Sequence, residues 1–400
     1  LWSTSGGRTS STVYDTGWHP TDSYGPVPTP CYTLPTTITA TTNGPVPSTS
    51  NSGCGSAGIS QIPHSHTDYD TGLTGLAEAI WTNTTWSGPT AAHRLAAGNL
   101  DYAETRSAAN WSARYTGVIT PPAPGAYTLT LTVSGATSAT LYLNGLRLAM
   151  ISVPGSTTSS FTIPDATPWQ VRIDATTPST TMNVKLAWTT PSNGTSTAIP
   201  EANIKPGFWY ATRSTSDDTT GSSQVAPQSV IETRFDEGID PAYGLPTSTT
   251  IDPGGLALKT RVGYEAATSG SLLRRLTRTL PAFAASPSAT NSTTTGYYPH
   301  GTSVANPCVA GAAAVDQAQF AKYTVGATPA SGVPVKSEQV YDILGRVVAT
   351  RMWDGATPEA WTCVTFDARG RVTTTTYPAL FGQPARTVTN TYRVGGDPWT

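Results

Sequence analysis

Between residues 127 and 188 apolar and polar positions alternate with a period of two. Tyr127-Thr128-Leu129-Thr130-Leu131-Thr132-Val133, Ala139-Thr140-Leu141-Tyr142-Leu143, Val171-Arg172-Ile173-Asp174 and Val184-Lys185-Leu186-Ala187-Trp188 each place an apolar face on one side of a strand. Several such strands in succession predict a β-sandwich, with Leu141, Leu143 and Trp188 over its core. Asn144-Gly145, between two apolar runs, predicts a tight hairpin, because a type I′ turn needs two residues that tolerate positive φ. Towards the C-terminus, Val347-Val348-Ala349-Thr350-Arg351-Met352-Trp353 and Val372-Thr373-Thr374-Thr375-Thr376-Tyr377 are rich in β-branched and aromatic residues and predict strands. Only Leu272 to Leu280 and Gly311 to Lys322 suit a helix, and Gly and Pro surround both. The predicted fold class is all-β.

Tyr341-Asp342-Ile343-Leu344-Gly345-Arg346 returns as Phe366-Asp367-Ala368-Arg369-Gly370-Arg371, and Asp342 and Asp367 are 25 residues apart. A period of that size marks a repeat architecture. The chemistry of the unit is that of a strand, a turn and a strand. An aromatic ends one strand, Asp bonds its own turn, Gly supplies positive φ and Arg opens the returning strand. Looser copies lie at Arg234-Phe235-Asp236-Glu237-Gly238, at Val262-Gly263-Tyr264-Glu265 and at Val13-Tyr14-Asp15. Repeat-like units thus lie on both sides of a region of different texture. The expected organisation is a repeat-like segment and linker over residues 1–71, an inserted sandwich over 72–207, and β-repeats over 208–400.

Among 400 residues only 12% are charged, and 23 Lys and Arg nearly balance 25 Asp and Glu, so the basic footprint of a nucleic-acid binder is missing. No apolar run approaches the roughly 20 residues that cross a bilayer, so no membrane span is expected in this segment. The chain opens on Leu1 and stops at Asp397-Pro398-Trp399-Thr400, which suggests a segment of a longer polypeptide. Cys31, Cys54, Cys308 and Cys363 show no C-x-x-C spacing, which argues against a zinc knuckle or a dithiol redox site. Disulfides are the expected use, with buried free thiols as the alternative; Cys31 with Cys54 and Cys308 with Cys363 would each close a loop within one region, but four Cys permit three connectivities and the sequence does not choose among them. Low charge and disulfides together point to a secreted or cell-surface setting.

His64-Ser65-His66-Thr67-Asp68-Tyr69-Asp70 is the densest set of possible ligands. On an extended strand His64, His66, Asp68 and Asp70 would share a face and could hold a divalent metal, the alternative being a polar connecting loop. Trp81, Trp86 and Trp111 are candidates to stack on sugar rings, or else belong to the sandwich core. Asp217-Asp218 lie in a Ser/Thr-rich stretch and read as a solvated loop, and Arg274, Arg275 and Arg278 as a solvated basic face. No Gly-x-Ser-x-Gly elbow, P-loop or dinucleotide fingerprint is present.

The aromatic-Asp-x-x-Gly-Arg units resemble the YD repeats of rearrangement hotspot (RHS) and teneurin-type proteins, and the likeness is densest from Cys308 to Pro378. It implies strands wound into a hollow shell, often around a C-terminal toxin domain of the same longer chain. Asp252-Pro253-Gly254-Gly255-Leu256 is similar to the motif at which such shells cut themselves, but it lies mid-chain among repeats and reads more readily as an ordinary turn. The middle region resembles the protective-antigen-type (PA14) domain through Gly72-Leu73-Thr74-Gly75-Leu76, Trp111 to Gly117, Pro121 to Tyr127, Thr140 to Gly145 and Leu186-Ala187-Trp188. That likeness implies a β-sandwich often linked to glycan binding. Sugar-binding members hold calcium with two acidic residues where this chain reads Val133-Ser134-Gly135-Ala136-Thr137-Ser138, so no calcium, and no other cofactor, is expected. The resemblances imply a non-enzymatic shell segment carrying the sandwich as spacer or attachment module, with cell-surface glycans and an encapsulated toxin domain as partners. The alternative is a glycan-binding adhesin acting through the sandwich.

Overall fold

The computed structural model describes residues 2–5, 8–15, 19–28, 62–135, 138–164, 166–220, 223–224, 229–268, 270–281, 291–329, 333–379, 382–392 and 398–399. The chain divides into two compact units, Leu1–Ala257 and Leu258–Thr400. Both are antiparallel β. The described residues include two short 3-10 turns, Glu201–Asn203 and Pro241–Tyr243.

The first unit begins with a sheet of neighbouring antiparallel strands, β1 (Trp2–Ser5), β2 (Arg8–Tyr14), β3 (Pro20–Pro28) and β4 (Ile62–Tyr69). The sheet resumes after the sandwich with β17 (Ala211–Thr220), β18 (Ser223–Gln224), β19 (Ser229–Arg234) and β20 (Ser248–Ile251). β4 pairs with β17, and Tyr69 stands opposite Ala211. The chain therefore leaves this sheet at one end of β4 and returns beside its point of departure.

Between them lie β5 (Leu76–Trp81), β6 (Ala92–Ala96), β7 (Asp101–Thr105), β8 (Trp111–Ile119), β9 (Gly125–Ser134), β10 (Ser138–Leu143), β11 (Leu146–Ile151), β12 (Gly155–Ile163), β13 (Trp169–Thr177), β14 (Thr181–Thr190), β15 (Asn193–Ala198) and β16 (Ile204–Lys205). One sheet runs β11-β10-β13-β8-β5-β6 with β16 on β8, and the other runs β12-β9-β14-β15 with β7 on β14. Leu129, Leu131, Leu141, Ile173, Leu186 and Trp188 are buried between the sheets, and Leu143 packs against them half-buried. Each fully buried aliphatic side chain contributes roughly 1.5–3 kcal/mol, more than a surface ion pair, so alternation rather than charge builds this domain. Asn144 and Gly145 take φ of 48° and 80° and close the β10–β11 hairpin, with Leu143 opposite Leu146.

The second unit contains β21 (Leu258–Tyr264), β22 (Arg275–Thr279), β23 (Ser292–Tyr297), β24 (Ser303–Ala305), β25 (Ala314–Asp316), β26 (Ala321–Val325), β27 (Lys336–Tyr341), β28 (Val347–Asp354), β29 (Thr357–Pro358), β30 (Thr362–Phe366), β31 (Val372–Tyr377), β32 (Arg386–Thr389), β33 (Thr391–Tyr392) and β34 (Pro398–Trp399). Successive strands pair from β21 to β23, through β26, β27 and β28, to β30, β31 and β32. The two helix expectations are corrected here. Leu272 to Leu280 contains β22, where Arg275, Thr277 and Thr279 alternate with their neighbours. Gly311 to Lys322 contains β25 and the start of β26, joined through Ala318 and Gln319 at φ of 46° and 63°. Left-handed backbone inside the segment prevents a helix.

A recurring clasp closes the turns. Asp342 donates its N–H to Arg346 O (2.9 Å), and its Oδ1 accepts the Arg346 N–H (2.9 Å) while Oδ2 accepts Arg346 Nε (2.7 Å). Asp367 and Arg371 repeat these bonds at 2.9, 2.9 and 2.7 Å. Gly345 and Gly370, at φ of 75° and 79°, make each turn short enough for the carboxylate to span it. Against the cost of burial, the amides and guanidinium hold the Asp342 carboxyl below the usual range, and the Arg371 amide does the same for Asp367. Arg346 then lies over the Phe366 ring at 4.5 Å and Arg371 over Tyr392 at 4.4 Å. Each unit thereby rests on an aromatic about one repeat further along. Glu265 and Arg274 make the same clasp across a longer loop, with Arg274 over Tyr297 at 4.3 Å. Arg274 thus leaves the solvated basic face expected of it, and Arg275 and Arg278 remain exposed.

Cys308 and Cys363 are disulfide-bonded across 55 residues, beside the small core of Val340, Val348 and Ala349. Cys31 and Cys54 lie outside the described residues. With so few buried apolar side chains, the second unit depends on this cross-link. Replacing Cys308 and Cys363 together by Ser is expected to destabilise residues 258–400 by about 2–4 kcal/mol. Urea unfolding followed by proteolysis within that unit measures it, and an unchanged midpoint would contradict the expectation.

Candidate functional site

The outward face of the β10-β13-β8-β5 sheet carries side chains in cross-strand ranks. Tyr142, Arg172, Thr116 and Ala77 stand abreast, followed by Thr140, Asp174, Arg114 and Ala79, then by Ser138, Thr176, Ser112 and Trp81. The 82–91 loop covers the third rank, where Ser112 Oγ donates to Asn83 O at 2.7 Å. The first rank is open. It floors a groove of about 300 Å³ lined by Tyr142, Arg172, Thr116, Gln170, Gly207 and Trp209, within the range of small-ligand sites.

One carboxylate serves two guanidinium groups on this face. Arg114 grips Asp174 with both prongs, Nε to Oδ1 at 2.6 Å and an Nη to Oδ2 at 3.0 Å. Arg172 Nε lies 3.3 Å from Asp174 Oδ2, yet this buried nitrogen has no partner of hydrogen-bond geometry. The Arg172 guanidinium instead lies flat on the Tyr142 ring, 3.9 Å from its centroid. Arg114 stands 5.8 Å from the Trp81 ring. The face is thus a band of aromatic, cation, anion, cation and aromatic with an excess of positive charge.

The groove's far wall is built where the sandwich joins the first sheet. Asp70 donates its N–H to Tyr210 O (2.9 Å), its Oδ1 accepts the Tyr210 N–H (3.0 Å) and its Oδ2 accepts the Trp209 N–H (3.0 Å). This is the clasp of the repeat turns, with Tyr210 in the closing position. Asp15 and His19 form another, with His19 N donating to Asp15 Oδ1 at 2.9 Å. The closing residues again stack on aromatics. His19 stacks on Trp209 at 3.7 Å and Tyr210 on Phe235 at 4.4 Å. Trp209, at φ of 60°, is also one of the residues that line the groove. Sequence reasoning missed both the groove and the role of Asp70. The signal was Tyr-Asp-Thr-Gly, which occurs identically at residues 14–17 and 69–72.

The expected metal set is corrected by the same geometry. His64 Nδ1 meets Asp217 Oδ1 at 2.9 Å and its Nε2 meets Asp22 Oδ1 at 3.0 Å, while His66 meets Asp22 at 2.8 Å and Asp68 at 3.3 Å. Tyr24 stacks on His64 at 4.5 Å. His64, His66 and Asp68 therefore belong to a chain of alternating imidazoles and carboxylates across β3, β4 and β17. Asp70 sits past the end of β4 at φ of 52°, turned into its clasp. Among the described residues no group of three or more His, Cys, Asp or Glu is arranged to hold a metal ion. Asp217 is likewise buried on β17 against His64 rather than in a solvated loop.

Of the three tryptophans, Trp111 is only 2% exposed and belongs to the core. Trp81 and Trp86 are half-buried, and Trp81 donates to Gly88 O at 3.2 Å. At Gly135, Thr177 Oγ1 donates to the Gly135 carbonyl oxygen at 2.5 Å. Asp252 takes φ of 52°, and its Oδ2 accepts the Leu256 N–H at 2.8 Å, so its carboxylate is occupied in its own turn.

The PA14 domain family matches residues 74–202, and these residues form a PA14 domain. Among solved structures, an anti-sigma factor domain-containing protein from Clostridium clariflavum is 14% identical, over 56% of this chain and 69% of that one, with a TM-score of 0.31. A PA14 sugar-binding domain from an RTX adhesin is 15% identical over 34% of this chain and all 100% of that one, with a TM-score of 0.28. The Epithelial Adhesin 6 A domain from Candida glabrata, in complex with Galβ1-3GlcNAc, is 14% identical over 34% and 88%, with a TM-score of 0.27. No curated protein matches the chain.

The imidazole–carboxylate chain makes the first sheet sensitive to pH. Burial works against both charges, but mutual hydrogen bonding outweighs it, lowering Asp22 from 3.8 and raising His66 from 6.5. The stability due to His66 is complete below 6.5 and is lost as pH rises through its higher folded value. That due to Asp22 is complete above 3.8 and is lost as pH falls through its lower folded value. The link is therefore strongest between these two limits. The unfolding midpoint is expected to fall more between about pH 6 and about pH 9 in the native protein than in Asp22→Asn. Parallel pH curves for the two proteins would contradict this.

Proposed function

We propose that the chain is a non-enzymatic segment of a secreted or cell-surface YD-repeat protein, whose β-repeats form part of a shell and whose PA14 domain is its attachment module. The observation that carries this reading is the clasp. It recurs at Asp15–His19, Glu265–Arg274, Asp342–Arg346 and Asp367–Arg371, and at Asp70–Tyr210 the closing residue lies 140 positions on, beyond the whole sandwich. Such an arrangement is what insertion of a domain into one repeat turn produces. The shell would encapsulate or present a C-terminal toxin domain of the same longer chain, with the sandwich facing cell-surface glycans.

The chemistry of the chain supports binding rather than catalysis. Asp252 is committed to a turn, and aspartyl cleavage needs two carboxylates sharing a proton. The Cys308–Cys363 bond suits an extracytoplasmic setting. An adhesin acting through the sandwich alone is the second reading, favoured by the open groove. The mass of the secreted product separates the two, because a shell protein continues through further repeats into an unrelated domain.

The Thr177 hydroxyl holds the Gly135 carbonyl, and the sequence Val133 to Ser138 carries no carboxylate, so attachment would not depend on calcium. On a panel of cell-surface glycans the full chain is expected to bind equally with calcium and with a chelator. Absence of binding in both conditions would remove the attachment role, and binding abolished by the chelator would contradict the calcium-free site.

A further inference from the structure

Resting on the attachment reading, we infer that the groove between Tyr142 and Trp209 binds a carboxylate-bearing sugar, with Arg172 taking the carboxylate. Three observations converge on it. The first is the charge count on the sheet face. Arg114 holds both oxygens of Asp174 and Arg172 Nε lies 3.3 Å from Oδ2, so two guanidinium groups share one carboxylate and the face keeps one positive charge in excess. The second is the exposure of Arg172, whose Nε is buried beside Asp174 but whose side chain is 41% exposed and lines the open groove. A fork-shaped cation with exposed prongs suits a planar carboxylate better than a point charge does. The third is the shape and polarity of the walls. Tyr142 and Trp209 supply aromatic surface for a sugar ring, and Thr116 and Gln170 supply hydroxyl and amide groups for its ring substituents.

The geometry also sets what the site would refuse. Arg172 is held in place by its stack on Tyr142, so the carboxylate has one defined approach, beside the ring and above Thr116. Arg147 faces Tyr142 across the hairpin on β11 and adds to the positive field. A neutral sugar would offer Arg172 only uncharged acceptors and so forgo the charge-assisted bond. This groove lies on the sheet face, and Gly135 is not among its lining residues.

The test uses the full chain and titration of a hyaluronan tetrasaccharide, which carries glucuronate, followed by calorimetry. A chitin tetrasaccharide is the neutral control and inorganic sulfate the simple-anion control. The native protein is expected to bind the hyaluronan fragment, and Arg172→Gln to weaken that binding by about tenfold or more. Arg172→Lys should fall between them, because it keeps the charge and loses the fork. Matching thermal melts for the three proteins show that the effect is not misfolding. Unchanged affinity in Arg172→Gln would overturn the assignment of the groove, as would sulfate displacing the tetrasaccharide at equal concentration. If the native chain binds neutral glycans of the panel but not the hyaluronan fragment, the acidic-sugar inference falls and the attachment reading stands. If it binds none, both fall.

Discussion

A carboxylate that accepts the backbone amide of the residue closing its own turn is the constraint on which both units depend. It sets the turn, pairs the two strands that leave it and, through the closing side chain, fixes the next strand pair. In Asp342 and Asp367 the closing Arg is held by three bonds and presents its guanidinium flat to Phe366 or Tyr392. A sheet with few fully buried apolar side chains gains order in this way, because each turn is anchored by charge-assisted bonds and each anchor by a ring. The Cys308–Cys363 bond adds a covalent tie beside the second unit's small core of Val340, Val348 and Ala349.

The same constraint explains how a sandwich can interrupt the first sheet without disrupting it. A clasp needs only that its acid and its closing amide meet, and says nothing about the length of chain between them. Four residues separate the pair at Asp342 and Arg346, nine at Glu265 and Arg274, and 140 at Asp70 and Tyr210. The sandwich brings its own core, so it does not draw on the sheet for stability. Its position is set by Asp70 and by Trp209 and Tyr210, whose rings pack on His19 and Phe235. Trp209 is at once part of that joint and a wall of the groove, which couples the fold of the insertion site to the candidate binding surface.

Much of this was legible in the sequence, and the limits of legibility were physical. The sandwich strands, the Asn144-Gly145 hairpin and the turns at Asp342 and Asp367 are local, so their signals are contiguous. The Glu265 and Asp70 clasps have closing residues too distant to read as a motif. His64, His66 and Asp68 have the alternation expected of ligands on one strand face. Their carboxylate partners Asp22 and Asp217 come from neighbouring strands, and the positive φ of Asp70 ends the alternation where the clasp begins. The groove was invisible for the same reason. Tyr142, Arg172 and Thr116 meet through register across three strands, and no spacing along the chain records it.

The most direct measurement is native-state amide hydrogen exchange on Asp70→Asn. Asn tolerates the left-handed backbone of this position, so the substitution removes the charge and one acceptor without adding strain. The account predicts that the Trp209 and Tyr210 amides and the adjoining end of the β4–β17 pair lose protection by about tenfold to a hundredfold. Amides of the sandwich core, such as Leu131 and Val184, should remain as protected as in the native protein. Unchanged exchange at Trp209 and Tyr210, or loss of protection throughout the sandwich, would contradict it.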